Sequence, residues 1–210
     1  PFNFSGSETF SYTVSDGTLL SGAATVSLLV SGDPLSDLQW YLRNSGQDVY
    51  AQEVGTVDED IRGATTLEDG HLGEGTIVAV LDTGLEITHP ELSENIVVEG
   101  SYNFLNGSDD PTSSSTSGDH GTAVAGLVAA RGWNGIGMRG IAPVAQLKGF
   151  NFLKSQLTAN QVFANGGNPL SADVSVFNKS YGYENTIEMQ VNEFLEAQLL
   201  EGVSDLRDGK

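Results

Sequence analysis

The run Thr76-Ile-Val-Ala-Val-Leu81, closed by Asp82-Thr-Gly84, constrains this chain more than any other stretch. A short, nearly continuous apolar segment bounded by a turn predicts a strand covered on both faces, as in parallel sheets dressed with helices. The residues around it keep that rhythm. Thr122 to Ala130 is rich in Ala and Gly and predicts a closely packing helix. Val144 to Phe150 and Val174 to Phe177 predict two further short strands. Glu188 to Leu200 carries Val191, Leu195 and Leu199 at four-residue steps beside Phe194, an amphipathic helix. Strand and helix in alternation predict an α/β fold with a mainly parallel sheet flanked by helices. That sheet is expected to be incomplete at the C-terminus.

Residues 1–31 follow a different rule. Phe10-Ser-Tyr12-Thr-Val14 and Val26-Ser-Leu28-Leu-Val30 alternate apolar and polar, with a Ser15-Asp-Gly17 turn signal between them. Period-two alternation predicts a β-hairpin with one buried face. A lone hairpin is marginal in water, so these strands are expected to close a β-sandwich whose other strands lie upstream. Ser31-Gly-Asp-Pro34 breaks the pattern, dividing the chain into 1–31 and 32–210. Pro1 and the polar Arg207-Asp-Gly-Lys210 read as cuts through a longer protein.

Charge narrows the partners. With 28 acids against 9 bases the net charge is −19, a surface that repels nucleic acid and anionic lipid. Acidity by itself serves solubility, and it also suits calcium binding outside the cell. The chain has no cysteine, which excludes disulfides, thiolate nucleophiles and thiolate metal sites. No stretch approaches the roughly 18 apolar residues of a membrane span.

In open α/β sheets reactive groups collect at the carboxyl ends of strands, where Asp82 stands. Asp-Thr-Gly is also an ordinary turn sequence, and it is the motif of aspartic proteases. Those carry Ser or Thr after the glycine and need a second copy, whereas Leu85 follows here and the motif occurs once. His120, 38 positions on, opens the small-residue stretch Gly121-Thr-Ala-Val-Ala-Gly126. Small residues let a helix approach a sheet closely, which predicts a dry site and a fixed imidazole. A histidine can take a proton from a serine hydroxyl and return it to a leaving amine. A carboxylate on its other ring nitrogen selects the tautomer and stabilises the imidazolium. Asp82 and His120 are thus two members of a Ser-His-Asp triad, and the serine is expected beyond Lys210. The chain alone is expected to be inactive. His89, before Pro90, reads as a turn residue, and His71 has no evident partner.

These stretches, taken with others, resemble the subtilisin-like serine proteases over about residues 33–210. The resemblance rests on Asp33-Pro-Leu, Gln39-Trp-Tyr-Leu42, Val78-Ala-Val-Leu-Asp82-Thr-Gly-Leu-Glu-Ile-Thr-His89-Pro-Glu-Leu92, His120-Gly-Thr-Ala-Val-Ala-Gly126, Gly140-Ile-Ala-Pro143 and Ser180-Tyr-Gly182. The opening block and Ser101-Tyr-Asn-Phe104 look most like the kexin and furin branch. The resemblance implies a serine endopeptidase acting on polypeptides, with Asp82 and His120 catalytic. It also implies that Ser180, Tyr181 and Gly182 line the cleft and pair with extended substrate as an added strand. By its local residues alone that last segment is equally a buried strand end. Ser7-Glu-Thr-Phe10-Ser-Tyr-Thr-Val14-Ser-Asp-Gly17, followed by Ala24-Thr-Val-Ser-Leu28, resembles the end of a cadherin-like repeat of bacterial surface proteins. A generic immunoglobulin-like strand pair has the same consequences. An extracellular or bacterial cell-surface location follows.

Calcium is the cofactor the resemblance implies. Its ligands would be Asp33, Glu91 and Asn134 with the main-chain oxygens of Arg131, Ile136 and Met138, a set of the oxygen donors calcium prefers. Glu91 stands where that branch has Asp. Thr83, Lys154 and Asn185 replace three acids that a cleft for paired basic residues would carry, which puts a dibasic preference in doubt. The competing class is a calcium-binding surface adhesin with a degenerate, non-catalytic domain of the same fold.

Overall fold

The computed structural model describes residues 4–49, 52–114, 119–155 and 157–182, together with 196, 197 and 200. The helix expected over 188–200 lies outside these apart from those last three positions, which are helical. Two compact units are present, one of residues 1–69 with 132–138 and one of residues 70–131 with 139–210.

In the first unit β1 (Gly6–Tyr12) pairs antiparallel with β2 (Ala24–Val30), in register from Gly6 opposite Val30 to Tyr12 opposite Ala24. Alternation puts Phe10, Tyr12, Val26 and Leu28 on one face. Ser7, Thr9, Ser11, Thr25 and Ser27 fall on the other, where the Ser11 and Thr25 hydroxyls pair at 2.9 Å. At the tip Asp16 accepts the amides of Thr18 and Leu19, which hold its carboxyl below the usual carboxylate range. The hairpin forms as its alternation predicts, but the expected buried face is not buried: Phe10, Tyr12 and Leu28 are about half exposed. A two-stranded ribbon has no second layer of its own. Further along, α1 (Gly63–Glu68) follows a loop in which Asp60 accepts the amides of Asn44 and Arg62.

The second unit is built on a parallel sheet. β3 (Ile77–Leu81) lies between β4 (Gln146–Phe150) and β5 (Val176–Asn178), with Val80 opposite Gly149 on one side and Asn178 on the other. Val78, Ala79, Val80 and Leu81 are all buried, as the apolar run requires. Both outer strands begin two residues later than their apolar runs. Val144 and Ala145 are held in a turn by Leu72 and Ala142, and Val174 closes a turn onto Ser171. One side of the sheet carries a core of Ala79, Leu81, Phe150, Phe152, Ala164 and Val174, with Tyr102, Phe104 and Phe163 packed against it. Phe163 comes from α3 (Thr158–Ala164). The helix α2 (His120–Ala129) buries Gly121, Ala125 and Ala129 at four-residue steps, a stripe of small residues. Lys148, inside β4, is buried with its ammonium on Asp173 Oδ1 at 2.6 Å and the Leu170 carbonyl at 2.8 Å. Among the described residues no helix is long and apolar enough to cross a membrane.

Candidate active site

Asp82 is the first residue past β3, and its backbone is held on both sides. Its amide donates to the Phe150 carbonyl at 3.0 Å, and its carbonyl accepts the Leu153 amide at 3.2 Å. The chain then turns through Gly84, at φ +152°, where a β-carbon would stand 2.6 Å from the Pro111 carbonyl oxygen. Leu85 donates to that same carbonyl, and Thr112 Oγ1 donates to the Leu85 carbonyl. The Asp82 side chain is fully buried. His120, the first residue of α2, meets it with Nδ1 at 2.8 Å from Oδ1 and 2.9 Å from Oδ2. A carboxylate only accepts, so Nδ1 carries a proton in this contact and Nε2 is the nitrogen left for a reacting group. Oδ1 also accepts the Thr83 amide at 2.6 Å. The expected dry site is found on the acid's side only, because 52% of the imidazole surface is exposed. A ring on the first residue of a helix, tied down through one nitrogen, leaves its other edge outward.

The close approach comes from Gly121. A β-carbon there would lie 2.1 Å from the Gly84 carbonyl oxygen and 2.8 Å from Asp82 Cβ. The helix start therefore rests directly on the turn that follows β3.

Ser180, Tyr181 and Gly182 follow β5. The last pair of the β3–β5 ladder is Val80 with Asn178, two residues before Asp82 on one strand and two before Ser180 on the other. Ser180 and Gly182 are exposed and Tyr181 is half-buried. Ser180 Oγ accepts Asn178 Nδ2 at 3.0 Å, and the Tyr181 ring lies 5.9 Å from that of Phe152. Of the positions bearing on dibasic preference, Asn185 lies outside the described residues and Lys154 is described by its backbone alone.

The calcium candidates fall in both units. In the first, Asp33 is buried and its carboxylate accepts the amides of Trp133 at 2.9 Å and Asn134 at 3.1 Å, while Asn134 Oδ1 accepts the Ile136 amide. Met138 ends the same segment. In the second, the Arg131 amide donates to the Glu91 carbonyl at 2.8 Å, and the Arg131 side chain is engaged by Glu94 and Asn95. No three His, Asp or Glu side chains among the described residues gather as a metal site. His89 Nδ1 accepts the Glu91 amide at 3.2 Å, a turn role.

Sequence reasoning missed the pair Asn103 and Asn151. Asn151 Nδ2 donates to Asn103 Oδ1 at 2.6 Å, and Asn151 Oδ1 accepts the Phe104 amide at 2.7 Å. Asn103 Nδ2 then reaches the Asp110 carbonyl, so the loop that supports Gly84 is tied to the end of β4. The available signal was a polar residue directly after an apolar strand, the same signal that marks Asp82.

The model of the Subtilase family, Peptidase_S8, matches residues 73–201, which is more than half of the chain. The Aeromonas extracellular serine protease of Aeromonas sobria is 42% identical over 87% of this chain and 30% of its own length. Neuroendocrine convertase 2 of Bos taurus is 31% identical over 71% of this chain and 23% of its own. The crystal structure of a serine protease of Aeromonas sobria superposes with a TM-score of 0.74 at 43% identity, covering 82% of this chain and 29% of that one. The chain thus spans less than a third of the length of these relatives. Asp82 and His120, joined at the carboxyl edge of a parallel sheet, lie inside the matched segment, and the chain belongs to the subtilase family.

Proposed function

We propose that this chain supplies the acid and the base of a serine endopeptidase that works outside the cell. The observation that carries the reading is the contact of His120 Nδ1 with both oxygens of a fully buried Asp82. Nε2 then takes the proton of a serine hydroxyl contributed by the rest of the protein, and later delivers it to the leaving amine. Asp82 keeps the proton on Nδ1 and stabilises the imidazolium. Extended substrate runs along Ser180–Gly182, main chain to main chain. Secretion is supported by the Aeromonas sobria relative named as extracellular. Nothing in the fold or in these relatives favours a non-catalytic adhesin. A serine-directed phosphonate tests the assignment: labelling of the whole protein that is lost in His120→Ala supports it, and equal labelling of both refutes it.

Within the family we place the chain near the kexin and furin branch, without that branch's dibasic requirement. Thr83 cannot supply the negative charge that a buried basic side chain needs. Profiling with a peptide library is expected to show cleavage without paired Lys or Arg before the scissile bond. A strong Lys-Arg or Arg-Arg requirement would overturn this.

Calcium binding through the Asp33, Asn134, Ile136 and Met138 oxygens is part of the same proposal; Glu91 and Arg131, which the resemblance adds to the set, belong to the other unit. Binding to the native state alone stabilises by RT ln(1 + [L]/Kd), about 2.7 kcal/mol when calcium is at a hundred times Kd. Thermal unfolding of the whole protein is therefore expected to shift upward in millimolar calcium relative to chelator, and less so in Asn134→Ala. Identical melting curves would remove calcium from the account. The hairpin of residues 6–30, apolar on one face and hydroxyl-rich on the other, is proposed as the closing strands of a cadherin-like module.

A further inference from the structure

We propose that Asn151, bonded to Asn103, is a positioning residue for the reaction and sets how Asp82 and His120 meet. The proposal rests on the endopeptidase reading and names a residue that aligns that same site.

Both asparagines are buried, Asn151 at 2% exposure and Asn103 at 6%. A buried amide side chain is costly unless its donors and acceptors are met. Here backbone groups fix which end of each amide is which. Asn151 Oδ1 accepts the Phe104 amide, so its Nδ2 faces Asn103 Oδ1. Asn103 Oδ1 also accepts the Leu105 amide at 3.0 Å, so its Nδ2 faces the Asp110 carbonyl. The pair therefore has one orientation, and it fastens the loop 103–113 to the residue after β4.

Both ends of this fastening lead to the acid. On one side Asn151 lies between Phe150, whose carbonyl accepts the Asp82 amide, and Leu153, whose amide donates to the Asp82 carbonyl. On the other, the Asp110 carbonyl held by Asn103 adjoins Pro111, whose own carbonyl accepts the Leu85 amide. From Leu85 the chain runs back through Gly84 and Thr83 to Asp82. These contacts close a ring that starts and ends at Asp82, and the Asn103–Asn151 bond is its one link made by two side chains. The base rests on the same ring, because Gly121, next to His120, approaches the Gly84 carbonyl so closely that a β-carbon would stand 2.1 Å from its oxygen. Opening the link loosens the loop under the Gly84 turn. Asp82 and His120 then shift against each other although neither has been changed.

The test measures kcat and KM of the whole protein on one peptide substrate. Asn151→Leu keeps the size of the side chain and removes both of its hydrogen bonds. It is expected to lower kcat about a hundredfold, the cost of misplacing a catalytic group by about 1 Å, with little change in KM. The decisive comparison repeats the substitution in Asp82→Asn. There the imidazole no longer acts as base, so its exact placement no longer sets the rate, and Asn151→Leu is expected to cost less than about twofold. A role in folding or packing alone lowers kcat by the same factor in both backgrounds, and that result overturns the proposal. So does an unchanged kcat in Asn151→Leu. Asn103→Leu is expected to reproduce the loss, and full activity there overturns the proposal as well. Thr112→Val serves if the asparagine variants fail to fold, because it removes only the hydroxyl hydrogen bond to the Leu85 carbonyl, from a half-buried position on the same loop. It is expected to lower kcat about fivefold with Asp82 in place and not in Asp82→Asn. An equal effect in both backgrounds, or none in either, overturns the proposal. If the whole protein cleaves no peptide and takes no serine-directed label, the endopeptidase reading itself has failed, and this inference with it. Cleavage with label, at an undiminished rate in the variants, sinks the inference alone.

Discussion

In the whole protein, His120→Ala is expected to lower kcat by about a millionfold and Asp82→Asn by about ten-thousandfold, the scale found for these members of the subtilisin triad. Alanine at 120 removes the imidazole proposed to accept the serine proton. Asparagine at 82 fits the buried site, and its Oδ1 can still accept the Thr83 amide. Its amide group, however, faces His120 Nδ1 with hydrogens where an acceptor is needed. The imidazole then holds its proton on Nε2 and cannot act as base. Thermal unfolding should move little in His120→Ala, whose ring is half exposed. Steady-state kinetics on a peptide substrate decide the matter. A loss below tenfold in Asp82→Asn, with the fold intact, would mean that the carboxylate does not set the tautomer.

Gly121→Ala is expected to cost about a hundredfold in kcat and about 1–3 kcal/mol of stability. The added carbon would meet the Gly84 carbonyl oxygen at 2.1 Å and Asp82 Cβ at 2.8 Å, and neither is the far end of a flexible side chain. The helix start must retreat, carrying His120 away from the carboxylate it now touches. Gly126 in the same helix is the control, because a β-carbon there meets nothing within 4 Å. Alanine at 126 should stabilise the helix by up to about 1 kcal/mol and leave turnover unchanged. Unfolding curves and kinetics on the two variants separate contact from propensity. Equal behaviour of the pair would refute the close-approach account.

How much was legible followed the kind of signal each element carries. The centre of the sheet was plain, because a strand buried on both faces must be apolar at every position, as Ile77 to Leu81 is. α2 was plain because only small side chains permit its contact with the Gly84 turn. The hairpin could be read as strands yet not as exposed, since alternation records which face is apolar and not what covers it. α1 and α3 were missed. The first is six residues long behind a left-handed Arg62, and the second, Thr158 to Ala164, carries no clear apolar period. At the site, Asp82 and His120 stood out by residue type and spacing. The clamps on Asp82 did not, because backbone groups of Phe150 and Leu153 make them and any residue there has the same amide and carbonyl. The pairing of Asn103 with Asn151 was hidden by the 48 positions between them.

The parallel register of β3 with β5 also sets an order in time. Ile77 donates to Ser175 Oγ across 98 positions of chain. Closing so long a loop costs entropy before the contact rewards it, and folds rich in such distant pairings form slowly. Asp82 acquires its two backbone clamps only when the segment around Phe150 and Leu153 has docked. A chain still being completed thus carries the acid and the base without the frame that aligns them. The frame that holds the acid is completed by residues about 70 positions further along the chain, and it forms with the sheet rather than before it.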